Sequence, residues 1–111
     1  MAYISVQKGQ DPADGGMEFS AKNKAKGGKL VYVKLSLDGG RRIRKAQIFG
    51  DFFAYPEEAI AIIESSLSDK SVDDKEGLIR SIEKAVRDCR AELVGLTPRS
   101  IVETIGMAVG E

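Results

Sequence analysis

Histidine is absent from this 111-residue chain and cysteine occurs once. Without an imidazole there is no His general base, no Ser-His or Cys-His dyad and no histidine-containing zinc site. One thiol builds neither an intrachain disulfide nor a four-thiolate cluster, so any chemistry must use carboxylates, lysines or the backbone. Long apolar runs are missing as well. The longest, Ala59-Ile60-Ala61-Ile62-Ile63, has five residues, against the roughly 18 of a membrane span, and no membrane partner is expected. The N-terminus shows no basic stretch followed by an apolar one and does not read as a secretory signal. With a lone cysteine, the expected address is cytoplasmic.

What is present, 42% hydrophobic residues with 17 Lys/Arg against 17 Asp/Glu, fits one globular domain over residues 1–111. The zero net charge hides a segregation. Residues 21–50 hold nine basic side chains against Asp38 alone, a balance of +8, while residues 51–111 sum to −6 and residues 1–20 to −2. Such a basic front half suits an anionic ligand or an acidic partner, and equally a solvated sheet face.

Residues 3–7 alternate apolar Ile4 and Val6 with polar neighbours, as in a short edge strand, and residues 9–16 read as a loop. Met17, Phe19 and Ala21 share one side of a second extended segment, followed by a polar bridge over residues 22–28. Residues 29–37 form the clearest strand, with Val31, Val33, Leu35 and Leu37 on one face. Asp38-Gly39-Gly40 offers positive-φ residues for a tight hairpin, and residues 41–49 return as the antiparallel partner. The apolar parity changes between Ile43 and Ala46/Ile48, which means either a bulge or Ile43 in the turn. After Gly50 the period becomes about 3.6. A first helix is expected from Pro56, with Glu57 and Glu58 in its opening turn and Ile60, Ile63 and Leu67 inward. A second has Asp73 as N-cap, Glu76 three residues on, and Leu78, Ile82, Ala85, Val86, Cys89 and Leu93 along one face, stopped by Gly95. A third starts at Thr97-Pro98 and buries Ile101 or Val102, Ile105 and Val109. The fold class is α+β: an antiparallel sheet of three to four strands followed by three helices packed on one face.

Several constellations carry a chemical reading and a plainer one. Gly27-Gly28-Lys29 suggests a phosphate loop, but a Walker A loop needs Gly where Asn23 stands and Ser or Thr where Leu30 stands; a flexible basic loop remains. Cys89 reads as a small apolar residue on a helix stripe rather than a reactive thiolate. Asp69, Asp73, Asp74 and Glu76 cluster, yet an EF-hand needs Gly at 74 and Glu at 80, where Asp74 and Arg80 stand, so helix capping explains them. The most unusual stretch is Gly50-Asp51-Phe52-Phe53-Ala54-Tyr55-Pro56. Its aromatics either plug the seam between sheet and helices or form a partner-binding edge.

At these residues the chain resembles a family. Gly27-Gly28-Lys29-Leu30, the hairpin Asp38-Gly39-Gly40-Arg41, Ile43, the run Ile48-Phe49-Gly50-Asp51-Phe52-Phe53 with Tyr55-Pro56-Glu57-Glu58, and Gly95-Leu96-Thr97-Pro98 are similar in order to the C-terminal accessory domain of lipoate-protein ligase. They are most similar to the archaeal form, where that domain is a separate small subunit. Residues 3–16, part of an N-terminal extension or edge strand over residues 1–16, and the doubled Arg41-Arg42 depart from the pattern. The resemblance implies a NifU/SufE-like α+β fold and a subunit that is not catalytic alone. It implies a heterodimer with the catalytic subunit, required for ATP-dependent activation of lipoate to lipoyl-adenylate before transfer to a lysine of a lipoyl domain of 2-oxoacid dehydrogenase or glycine cleavage proteins. ATP, Mg and lipoate would belong to the complex and none to this chain by itself. On this reading Lys24, Lys26, Gly27, Gly28, Lys29, Gly50, Asp51, Phe52 and Phe53 face the catalytic subunit or its nucleotide.

Two other classes remain as alternatives. A NifU/SufE-like sulfur or iron-sulfur scaffold requires an exposed, reactive Cys89. A small basic nucleic-acid-binding module would use residues 21–50 with aromatics for stacking; Tyr32 is the single outward aromatic of the clearest strand, which disfavours it.

Overall fold

The strict alternation of residues 30–37 makes them the natural centre of a sheet, since every second side chain can be buried without placing a lysine in the core. In the computed structural model, which describes residues 2–7, 17–24 and 29–110, this segment is indeed central. Strands β1 (Ala2–Gln7), β2 (Met17–Lys24), β3 (Leu30–Leu37) and β4 (Ile43–Gly50) form an antiparallel sheet in the order β1-β2-β3-β4. β2 runs through Lys22 and Asn23 to Lys24, so the polar bridge begins later than its composition suggests. The expected loop at residues 9–16 lies outside the described residues.

The inward face carries Ala21, Val31, Val33, Leu35, Leu37, Ile43, Ala46 and Ile48, all buried. The parity change in β4 is a bulge. Ser36 pairs with Lys45 and Leu37 with Ile43, leaving Arg44 as the extra residue and turning both Ile43 and Ala46 inward although they are three apart.

The hairpin turn is built differently from the expectation. Gly39 and Gly40 are not in the left-handed region; Arg41 is, at φ 62°. The Asp38 carboxylate takes over the organising role, accepting from the Gly40 and Arg42 amides at 2.9 and 3.0 Å. A first turn without positive φ followed by one left-handed residue fits the longer hairpin loops rather than the two-residue type.

Three helices, α1 (Ala59–Ser66), α2 (Lys75–Asp88) and α3 (Pro98–Ala108), complete the layer among the described residues. α3 lies across β1, β2 and β3, α1 lies on β4, and α2 packs on α1 and α3. Ile63, Leu67, Leu78, Ile82, Ile101, Val102 and Ile105 are the buried side chains that close the core. α1 starts three residues after Pro56: Pro56, Glu57 and Glu58 form a turn in which the Ala59 amide donates to the Pro56 carbonyl, and no acidic residue lies in the first helical turn. Ala59, not Ile60, takes the buried position there.

α2 is capped by Asp74, whose carboxylate accepts from the Gly77 amide at 3.0 Å, rather than by Asp73. Asp73 instead receives Arg41 Nε and Nη2 at 3.0 Å each. Together with Ile43 N–H to the Lys70 carbonyl at 2.8 Å and Asp69 N–H to the Ile43 carbonyl at 2.7 Å, that pair straps the helix linker to the start of β4. α3 begins as expected, with Thr97 and Ser100 capping each other's amides at 2.9 Å. It buries both Ile101 and Val102 and also Thr104, whose hydroxyl donates to the Ser100 carbonyl at 2.7 Å, while Val109 is only half-buried.

Arg42 N–H, then Gly40 N–H and the nearby Arg44 and Arg42 charges, hold the Asp38 carboxyl below its ordinary pKa against a desolvation cost. A folded-state pKa below the unfolded one means stabilisation that is present above the carboxylate range and fades as pH falls through the folded value. Asp38→Ala should therefore lower the urea midpoint at neutral pH, with the gap to wild type narrowing as the solution is acidified through the carboxylate range. A gap that stays constant would show that the charge of Asp38 contributes nothing.

Candidate partner-docking site

The ends of β2, β3 and β4 that meet away from the hairpin bring most of the sequence candidates together. Lys24 pairs with Leu30, and Gly50 with Val31. The Asp51 amide donates to the Leu30 carbonyl at 3.0 Å. Gly50 has φ 153°, and a Cβ on it would collide with that same carbonyl, so glycine is the residue that lets the chain leave the sheet here. Lys26, Gly27 and Gly28 lie outside the described residues.

Past Gly50 the two phenylalanines part. Phe52 is half-buried and packs against the core, so it plugs the seam. Phe53 points the other way. It starts β5 (Phe53–Tyr55), which pairs antiparallel with β6 (Glu92–Val94) as a separate two-stranded ribbon, with Phe53 opposite Val94, Ala54 opposite Leu93 and Tyr55 opposite Glu92. Directly paired residues share a face. Phe53, Tyr55 and Val94 therefore form one outer patch, and they are 59, 62 and 56% exposed.

This ribbon corrects two expectations. Helix α2 does not run on to Gly95 but ends at Asp88, with Cys89 as C-cap and Arg90 left-handed at φ 52°. Leu93, assigned to the helical stripe, belongs to β6. Tyr55 belongs to the aromatic stretch that already read as a possible partner-binding edge; Val94 is the site residue that pattern reading missed. The signal was a three-residue alternation, Glu92-Leu93-Val94, too short to stand out beside a helical stripe that Leu93 also satisfies.

Gly95, at φ 81°, ends β6 where the aliphatic stem of Lys29 lies over it; a Cβ there would come 2.7 Å from Lys29 Cγ. Lys29, Asp51 and Phe53 thus stand around one end of the ribbon. Beside it a cleft of about 570 Å³ is lined by Lys24, Leu93, Gly95, Thr97, Arg99 and Glu103, among others. Its lining carries two cations and one carboxylate, and the Ser100 amide at the start of α3 is already taken by Thr97.

On the open face of the sheet, Phe49 joins Tyr32 with ring centroids 5.5 Å apart, and Lys22 Nζ lies 5.7 Å from the Tyr32 ring centroid. Tyr32 is thus not the lone outward aromatic of the sheet. Its row is filled by a mutual stack and a cation.

The chain matches no protein-family model. It is 42% identical over 64 residues to lipoate-protein ligase A subunit 2 of Thermoplasma acidophilum, an alignment covering 58% of this chain and 66% of that protein. It also superposes with a TM-score of 0.68 on a chain from the structure of an archaeal lipoylation system, a bi-partite lipoate protein ligase and its E2 lipoyl domain from the same organism. That match, at 30% identity, covers 81% of this chain and 96% of the other. The chain belongs to the family of second subunits of bipartite lipoate-protein ligases.

For such a ligase subunit, other chemistry-bearing groups are sparse. Cys89 is half-buried, its thiol 3.9 Å from the Val86 carbonyl. Among the described residues no three His, Cys, Asp or Glu side chains are grouped to hold a metal ion, and no helix is long and apolar enough to cross a membrane.

Gly50→Ala tests how the site is positioned. Both the backbone conformation and the Leu30 carbonyl oppose a side chain, so the variant should lose about 2 kcal/mol or more in chemical denaturation. Unchanged stability would mean that the sheet exit does not depend on glycine.

Proposed function

We propose that this chain is the non-catalytic accessory subunit of an archaeal-type lipoate-protein ligase, acting in the cytoplasm as a heterodimer with a separate catalytic subunit. The complex activates lipoate with ATP and Mg to lipoyl-adenylate and pyrophosphate, and the lipoyl group then passes to a lysine on a lipoyl domain of 2-oxoacid dehydrogenase or glycine cleavage proteins. The observation that carries this reading is the match over 96% of a chain from a bi-partite ligase structure that also holds an E2 lipoyl domain. The chemistry of the side chains supports it. With no histidine and one half-buried cysteine, the chain has little with which to activate a carboxylate itself.

ATP, Mg and lipoate are assigned to the complex. What this chain offers them is positive potential, from Lys24 and Lys29 at the end of the two inner strands beside the ribbon and from Lys26 between them in sequence, for the triphosphate and pyrophosphate charge that the complex must accommodate.

The test is pyrophosphate release by the catalytic subunit with ATP and lipoate, with and without this chain. Adenylation should depend on its addition; equal rates would refute the accessory role. Lys29→Ala should lower the maximal rate of adenylation severalfold while leaving transfer from preformed lipoyl-adenylate nearly unchanged, and equal losses in both half-reactions would remove the nucleotide-side role.

A further inference from the structure

We propose that the outer face of the β5–β6 ribbon, formed by Phe53, Tyr55 and Val94, is the surface that docks the catalytic subunit, and that this subunit meets it with an apolar pocket whose rim is cationic at the Tyr55 end. The proposal rests on the accessory-subunit reading and adds to it the surface and the chemistry of the partner.

The first argument is the cost of leaving these side chains in water. Each strand of the ribbon has three residues, and a ribbon so short gains little stability from its own pairing. Its inner positions, Ala54 and Leu93, already face the protein body and are half-buried. The outer positions contribute no core packing, yet three of the four are large and apolar. At about 200 Å² per aromatic side chain, their exposures of 59, 62 and 56% leave on the order of 300 Å² of contiguous apolar surface, the size at which such patches are often functional. The other exposed apolar residues do not combine in this way. Met17 lies at the opposite end of the sheet, paired with Leu37, Phe49 already has Tyr32 as a ring partner, and Ile62, 37% exposed, stands on α1 beside serines and Lys84.

Charge defines the partner's rim. The fourth outer position is Glu92, opposite Tyr55, and Glu57 and Glu58 come directly after Tyr55-Pro56; all three are exposed. The other end is marked by the Lys29 stem over Gly95. A partner must therefore place cations at the Tyr55 end, because like charges across an interface cost affinity and specificity. The area argues for a larger partner over a second copy of this chain. Two ribbons face to face would bury roughly 600 Å², well under the 1,200 Å² of a specific interface. A larger subunit can continue from the ribbon into the adjoining cleft, which Leu93 and Gly95 also line.

The experiment titrates the intact catalytic subunit with the full chain by calorimetry and follows pyrophosphate release over the same range. Phe53→Ser or Tyr55→Ala should weaken association about 30-fold, as an interface anchor does. Glu92→Lys should weaken it up to about fivefold, with the loss diminishing at high salt. Adenylation by these variants should recover at saturating concentrations, which separates docking from the maximal-rate loss expected of Lys29→Ala. Met17→Ser, at the far end of the sheet, should bind as wild type does, and unchanged melting of all variants confirms that the fold is intact. Wild-type affinity in the ribbon variants overturns the docking surface while leaving the accessory role standing. If the variants instead abolish self-association of the isolated chain and leave binding to the catalytic subunit unchanged, the ribbon is a homodimer contact and the proposal is overturned. If the wild-type chain neither binds nor stimulates the catalytic subunit, the accessory role itself fails.

Discussion

At the end of β4 the backbone passes so close to the Leu30 carbonyl that only a residue without Cβ fits, and Gly50 takes up φ 153° there. The Asp51 amide then bonds to that same carbonyl. The chain leaves the sheet in a fixed direction, and the next two aromatics are sorted as a consequence. Phe52 turns toward the core, and Phe53 enters a strand whose inner neighbour is Ala54. A bulkier residue at 50 would have to move β3 or unpair the end of β4, and in either case Phe53 and Tyr55 would lose their common face with Val94. The site is therefore positioned by the backbone and only furnished by its side chains.

The sheet and the helical half were legible because their signals are long. Four inward residues of β3 at a period of two, and Leu78, Ile82 and Ala85 of α2 at helical spacing, leave little choice of face. The features that escaped are those set by one hydrogen bond or one close contact. Asp73 and Asp74 are both good caps, and what separates them is the distant Arg41, 32 positions away in sequence, which claims Asp73. Gly39 and Gly40 suggested a positive-φ hairpin, but the Asp38 carboxylate organised a longer turn and passed the left-handed position to Arg41. The β5–β6 ribbon pairs segments about 40 residues apart, three residues each. Neither half carries a pattern long enough to be read, and only the residues of the first half were singled out as candidates.

The segregated charge also takes on a different meaning once the contacts are known. Part of the basic excess of residues 21–50 is used inside the molecule: Arg41 grips Asp73, Arg42 reaches the Asp69 carbonyl at 3.5 Å, and Arg42 and Arg44 lie near Asp38. The Arg41 pair is about half exposed on both sides and is worth about 1 kcal/mol at most, so its role is to fix the linker rather than to stabilise the whole. On the acidic side, Glu64 of α1 receives the Ile48 amide at 2.8 Å, which satisfies one donor on the outer edge of β4 and blunts an edge strand that would otherwise invite pairing. The arginines thus serve the hairpin end, whereas at the ribbon end Lys22 lies over the Tyr32 ring and Lys24 and Lys29 make no ion pair among the described residues.

The two ends of the sheet are accordingly built on opposite principles. At the hairpin end polar groups find partners within the chain: turn amides on Asp38, guanidinium on Asp73, linker amides on β4. At the ribbon end the bonding to the sheet runs as far as Asp51, and beyond it lies apolar surface between an acidic flank and a lysine. A protein selected only for its own stability would favour polar residues at Phe53, Tyr55 and Val94, since none of them adds to the core and each leaves apolar area in water. That they stand together on a ribbon whose geometry is fixed by Gly50, Gly95 and the inward Leu93 indicates that the surface is completed by another chain. The fold supplies the rigid frame on which that surface is held.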